Sequence, residues 1–190
     1  TETYIDSVLV TTYLAPAISI NNSDGCEPLS VEIVADVESD VQVYYMWNFG
    51  DGNSSFVGET SHIYAFPGTY DISVELFTME GCADTVVQVF PNAVTVHPSP
   101  VAGFTMNPQV VNILNPEMMI ADSSFGSVSC SYVMSDGGSS DECDFTYSWI
   151  ESGFQTITQY VESEFGCNAY VTGTVIVEGF VFYAPNSFTP

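Results

Sequence analysis

Lysine and arginine are absent from all 190 residues, whereas aspartate and glutamate together number 24, for a formal net charge of −24. That absence excludes whole classes of function. Proteins that grip nucleic acid do so with cations that displace counterions from phosphate, so a nucleic acid partner is excluded on charge. An anionic membrane surface is repelled for the same reason. No ion pair can form inside the chain except through a histidine or the N-terminus, and trypsin-like proteases find no cleavage site.

Other absences narrow the field further. Two histidines and no C-x-x-C pair leave zinc without its usual ligand spacing. No stretch keeps a 3.6-residue apolar period, and no apolar run is long enough for a membrane-spanning helix, so no membrane insertion is expected. The first residues, Thr1-Glu2-Thr3-Tyr4, have neither the basic n-region nor the apolar h-region of a signal peptide, and the chain reads as an internal piece of a longer protein. No G-x-S-x-G, H-E-x-x-H or phosphate-binding loop occurs. No enzyme and no obligatory cofactor are expected.

The acidic excess has two readings. One is adaptation to salty water, where counterions screen repulsion within about 10 Å. The other is Ca²⁺ neutralising carboxylates at domain junctions, although no Asp-rich loop has clear calcium-ligand spacing.

What is present is strand. Hydrophobic residues make up 46% of the chain and aromatics 14%, enough for packed cores. Segments 31–37, 41–49, 70–77, 85–90, 154–161 and 170–177 read as strands, separated by turn signals such as Asp24-Gly25, Asp51-Gly52, Pro67-Gly68, Glu80-Gly81 and Asp136-Gly137. The chain is organised around Trp47-Asn48-Phe49-Gly50-Asp51-Gly52. Val43, Tyr45, Trp47 and Phe49 share one face of the strand that leads in, and Gln42, Tyr44, Met46 and Asn48 share the other. The two glycines supply positive φ for a tight reversal, and Trp47 is the natural centre of a sandwich core.

This hexapeptide, with His62-Ile63-Tyr64 and Pro67-Gly68-Thr69-Tyr70 downstream, resembles the PKD (polycystic kidney disease) domain, an immunoglobulin-like β-sandwich. The resemblance implies an all-β chain of tandem sandwiches. It gives His62 and Tyr64 packing and hydrogen-bonding roles, and Pro67, Gly68 and Tyr70 structural ones.

A repeat supports the tandem arrangement. Adding 85 maps Asp51-Gly52 onto Asp136-Gly137, Gly68 onto Gly153, Ile72 onto Ile157 and Gly81-Cys82 onto Gly166-Cys167. In the second copy Trp47 becomes Tyr132, Phe49 becomes Met134, Gly50 becomes Ser135 and Pro67 becomes Ser152, while Trp149 falls where Tyr64 sits. The expected division is 1–14, the last strand of a preceding repeat; 15–98, the first sandwich; 99–178, a divergent second sandwich; and 179–190. The short linkers contain proline, which predicts a stiff row. Residues 182–190, Phe-Tyr-Ala-Pro-Asn-Ser-Phe-Thr-Pro, resemble the start of the gliding-motility-associated C-terminal domain of Bacteroidetes. That resemblance implies the type IX secretion machinery as a partner and the extracellular face of the outer membrane as the location. Asp6-Ser7-Val8 and Asp84-Thr85-Val86 resemble the O-glycosylation acceptor of the same bacteria, making Ser7 and Thr85 candidate glycan sites.

The five cysteines follow. Gly25-Cys26-Glu27-Pro28-Leu29 with Gly81-Cys82 resembles the paired cysteines of extracellular bacterial PKD repeats, which implies a Cys26–Cys82 disulfide. Cys130 and Cys143 bracket the Asp136-Gly137-Gly138 reversal and predict a cross-hairpin bond. Cys167 matches Cys82, but no cysteine matches Cys26, so Cys167 is expected as a free buried thiol, with an inter-chain bond or exchange with Cys143 as alternatives. Disulfides of this kind fit an oxidising, extracellular setting.

The sequence therefore points first to non-catalytic stalk repeats of a large secreted surface protein, an adhesin or filament, whose partners are neighbouring repeats. The outward aromatics Tyr44, Phe77 and Tyr160 support a second reading, a polysaccharide-binding accessory module of a secreted hydrolase or protease. A third is calcium-dependent self-association.

Overall fold

The computed structural model describes residues 16–39, 42–79 and 85–180. The sequence expectations at Ser7, at Cys82, for the strand in 1–14 and for the segment 182–190 fall outside these residues. The chain divides into two compact units, Thr1–His97 and Pro98–Pro190.

Among the described residues the first unit holds eight strands: β1 (Ala17–Asn21), β2 (Asp24–Cys26), β3 (Leu29–Asp36), β4 (Val43–Asn48), β5 (Ser54–Ser55), β6 (Glu59–Tyr64), β7 (Gly68–Thr78) and β8 (Val86–His97). They form a three-stranded sheet, β1-β3-β6, and a five-stranded sheet, β2-β8-β7-β4-β5. All pairs are antiparallel except β2 with β8. Alternation decides which side chains face inward. Val31 and Ile33 from β3 meet Trp47, Ile72, Val74 and Leu76 from the larger sheet, all of them fully buried. This is the immunoglobulin-like sandwich, all-β throughout.

The second unit repeats the plan with β9 (Phe104–Asn107), β10 (Val110–Asn112), β11 (Glu117–Asp122), β12 (Ser129–Met134), β13 (Ser139–Ser140), β14 (Phe145–Ser148), β15 (Gly153–Glu162) and β16 (Asn168–Glu178). Its sheets are β9-β11-β14 and β10-β16-β15-β12-β13, the same order strand for strand. Its core gathers Met118, Ile120, Tyr132, Trp149, Ile157 and Val175.

The sequence reads the last strand of the first unit as 85–90, ending before Pro91, which cannot donate to a ladder. The structure continues it to His97 by a bulge: the β7–β8 register shifts between Tyr70 and Ile72, and Asn92 takes φ 52° with its N–H donated to Asp71 Oδ1.

One cysteine expectation is corrected. β2 sets Cys26 level with His97. Cys26 is disulfide-bonded, and its expected partner, Cys82, lies outside the described residues. Cys167, expected as a free thiol, is also disulfide-bonded and is buried in the loop that joins β15 to β16. Cys130 and Cys143 are joined across β12 and the following loop, with Cα atoms 5.6 Å apart and a sequence separation of 13. A loop of that size stabilises by roughly 3 kcal/mol through the unfolded chain.

Candidate functional site

The Trp47–Gly52 motif closes the β4–β5 hairpin. Gly50 and Gly52 have φ of 82° and 94°, and a Cβ on Gly50 would collide with the carbonyl oxygen of Asp71. Only glycine fits there. The side chains around this turn form a clasp. Asn48 Oδ1 accepts the Gly50 N–H at 2.9 Å, and Asp51 Oδ1 accepts the Asn53 N–H at 3.0 Å. The other oxygen of Asp51 lies 2.7 Å from His62 Nε2 on β6. The His62 ring stacks on Phe49 (centroids 4.3 Å, 10° between planes) and meets Tyr64 edge-on at 4.7 Å. Tyr64 in turn donates its hydroxyl to Phe49 O at 2.9 Å. Thus β4, its turn and β6 are tied across the two sheets.

Electrostatics follow from this geometry. Burial works against the charge on Asp51, but hydrogen bonds from His62 and Asn53 outweigh it and hold the carboxyl below its ordinary range. Burial pushes the Tyr64 phenol well up, with the Asp51 charge adding to it. Trp47 donates Nε1–H to Val57 O at 2.9 Å, so the largest core side chain is also satisfied.

Tyr70 near the start of β7 donates its hydroxyl to Phe66 O at 2.8 Å, four residues upstream. This is the tyrosine corner of immunoglobulin-like sandwiches. Pro67 and Gly68 lie in that corner, between the acceptor and the ring.

The second unit rebuilds each part with different chemistry. Asp136 stands where Asp51 does, and its partner at the His62 position is Tyr147, whose hydroxyl donates to Asp136 Oδ1 at 2.6 Å. Burial, reinforced by that carboxylate, pushes the Tyr147 phenol up to about 12. Tyr147 meets Trp149 edge-on at 5.1 Å, as His62 meets Tyr64. The corner survives with Gln155 in place of Tyr70, its Nε2–H donated to Glu151 O at 3.4 Å. Val74 is replaced by Gln159, a fully buried amide that donates to Asp122 Oδ1 at 2.6 Å and to the Tyr132 hydroxyl at 2.9 Å. Trp149 Nε1 is buried with no acceptor.

The sequence named Asp51 as a turn residue and His62 as a packing residue without joining them. It did not find the Asp136–Tyr147 pair or Gln159. The 85-residue offset carries the first signal, because it sets Tyr147 on His62.

Other expected features are dispersed. His97 is half-buried at the end of β8, 3.3 Å from Asp24. Thr85 is exposed just ahead of β8. Among the described residues no three acidic, histidine or cysteine side chains gather as a metal-ligand set. Tyr44 and Phe77 are cross-strand neighbours with nearly parallel rings (5.5 Å, 16°), so each covers a face of the other instead of laying both open. Tyr160 and Tyr170 pair more loosely, 6.0 Å apart and tilted by 36°, and both are exposed.

Comparison with known proteins finds a PKD domain at residues 18–90. No curated protein matches the chain in sequence. Among solved structures, the chain is similar to fibronectin(III)-like modules of Clostridium thermocellum CbhA: 16% identity over 86% of this chain and 95% of that one, TM-score 0.35. It is also similar to a Ca²⁺-stabilized adhesin of an Antarctic bacterium that binds ice: 10% identity, 86% of this chain, 48% of that one, TM-score 0.46. A third is the Bacteroides ovatus protein SGBP-B in complex with a mixed-linkage heptasaccharide: 16% identity, 81% of this chain, 42% of that one, TM-score 0.30.

Proposed function

We propose that this chain is a pair of PKD-type spacer repeats from the stalk of a large, secreted, cell-surface protein of the adhesin or filament kind. The observation that supports this best is repetition of the clasp. Two units with identical strand order each tie the hairpin turn to the opposite sheet through an aspartate and a ring hydrogen bond, although the residues that supply it differ. Keeping the tie while changing its chemistry fits selection for a rigid sandwich, not for a particular reactive group. Disulfide bonding in both units fits an oxidising extracellular setting. The charge of −24 with no cation fits a surface that resists trypsin-like proteases and keeps neighbouring stalks apart. Type IX export, with a gliding-motility-associated domain beginning at Phe182, extends the same reading.

Single-molecule pulling on the 190-residue chain tests it. Spacers yield two separate unfolding events, and the second unit releases less chain until Cys130–Cys143 is reduced. One low-force event for the whole chain would refute a load-bearing spacer.

A second reading, polysaccharide binding, rests on the exposed Tyr160–Tyr170 pair. Affinity electrophoresis in neutral glucans tests it: retardation that disappears in Tyr170→Ala supports it, and unchanged mobility in all glucans removes it.

A further inference from the structure

The closing strands of the two units differ at their open edge. β8 is interrupted by Pro91 and the Asn92 bulge, a device that blunts an edge. β16 has neither, and it pairs with β15 without interruption from Asn168 to Val177. On its other side, among the described residues, only β10 pairs with it, at Ile176–Glu178. The run Asn168–Val175 is therefore an open edge, about 26 Å long at about 3.3 Å per residue, with no charge and no proline.

The orientation of its polar groups is fixed. Glu178 O accepts the Ile113 N–H on the β10 side. Because both backbone groups of one residue point the same way and alternate along a strand, Thr174, Thr172 and Tyr170 also direct N–H and C=O to the open side. Beneath them, the inward-facing Ala169 and Val171 remain only half-buried, where the matching positions of β15 are closed.

We propose that this edge receives an extended segment of a partner carrying lysine or arginine, which adds as a further strand to the β16 sheet. Charge chooses the occupant. Glu162 and Glu164 flank the edge at the hairpin and Glu178 flanks it at the far end. A second copy of this chain carries −24 and is repelled. Main-chain hydrogen bonds supply affinity in strand addition, and the flanking carboxylates select a cationic strand.

The probe is a soluble peptide of alternating threonine and valine between pairs of lysines, with a glutamate-flanked peptide as control, added to the whole chain. Amide exchange at Tyr170, Thr172 and Thr174 slows by about tenfold or more with the lysine peptide, and the protection fades as salt rises. Thr174→Pro removes an outward N–H and abolishes protection at Thr172, while the β15 ladder is kept. The double variant Glu162→Gln/Glu178→Gln, which leaves the edge intact, weakens binding severalfold. Equal binding of the glutamate peptide, or no protection with either, overturns the proposal. Protection that grows with protein concentration in the absence of peptide assigns the edge to a second copy and overturns it equally.

Discussion

His62 and Asp51 stand eleven residues apart in sequence and 2.7 Å apart in space, with the imidazole laid flat on Phe49. Tyr147 and Asp136 occupy the same two positions in the second unit. The geometry is shared, but the ring that closes it is not.

Asp51 is held below its ordinary pKa in the folded state by its hydrogen bonds. A depressed carboxylate contributes stability that is full above its unfolded value near 3.9 and is lost as pH falls through the folded value. Asp122 is depressed in the same way: burial opposes its charge, but bonds from Ser124 and Gln159 outweigh it. Urea unfolding followed from pH 5 to pH 2 should therefore show steep loss of stability below about pH 4. Asp51→Asn should flatten that loss in the first unit alone. An unchanged acid limb would show the pair to be idle.

The alkaline limb belongs to phenols. Tyr132 is pushed up to about 12, first by burial and then by the Asp122 charge, and Tyr147 also to about 12. A raised phenol contributes stability that is full below the unfolded value near 10 and is lost as pH rises through the folded one. Absorbance at the phenolate band should show a late-titrating class between about pH 10 and 12, coincident with unfolding of the second unit. Tyr147→Phe should remove one member of that class.

The two tryptophans should respond differently to the same substitution. Trp47→Phe removes a satisfied indole and strands Val57 O, at about 1–3 kcal/mol in unfolding free energy. Trp149 has no acceptor for Nε1, so Trp149→Phe loses packing but no hydrogen bond, and should cost less. Tyr70→Phe should destabilise the first unit by about 1 kcal/mol through its corner bond.

Disulfide mapping gives a sharp outcome. Non-reducing digestion at glutamate and mass spectrometry should return Cys130 linked to Cys143, with Cys26 and Cys167 both in disulfide-linked peptides. Alkylation of Cys26 or Cys167 without prior reduction would contradict that bonding.

What is local or periodic could be read along the chain. Alternation around Trp47 fixed the buried face of β4, and Gly50 and Gly52 fixed its turn, because those properties depend on neighbours two residues away. The 85-residue offset fixed the second sandwich, because aligned glycines and apolar positions demand the same backbone. Which strand ends lie level emerged from the assembled sheets. That level sets Cys26 beside His97, joins Asp51 to His62, and, among the described residues, leaves the edge of β16 open where Pro91 breaks β8. Such relations hang on register between strands far apart in the chain, and no local pattern encodes them.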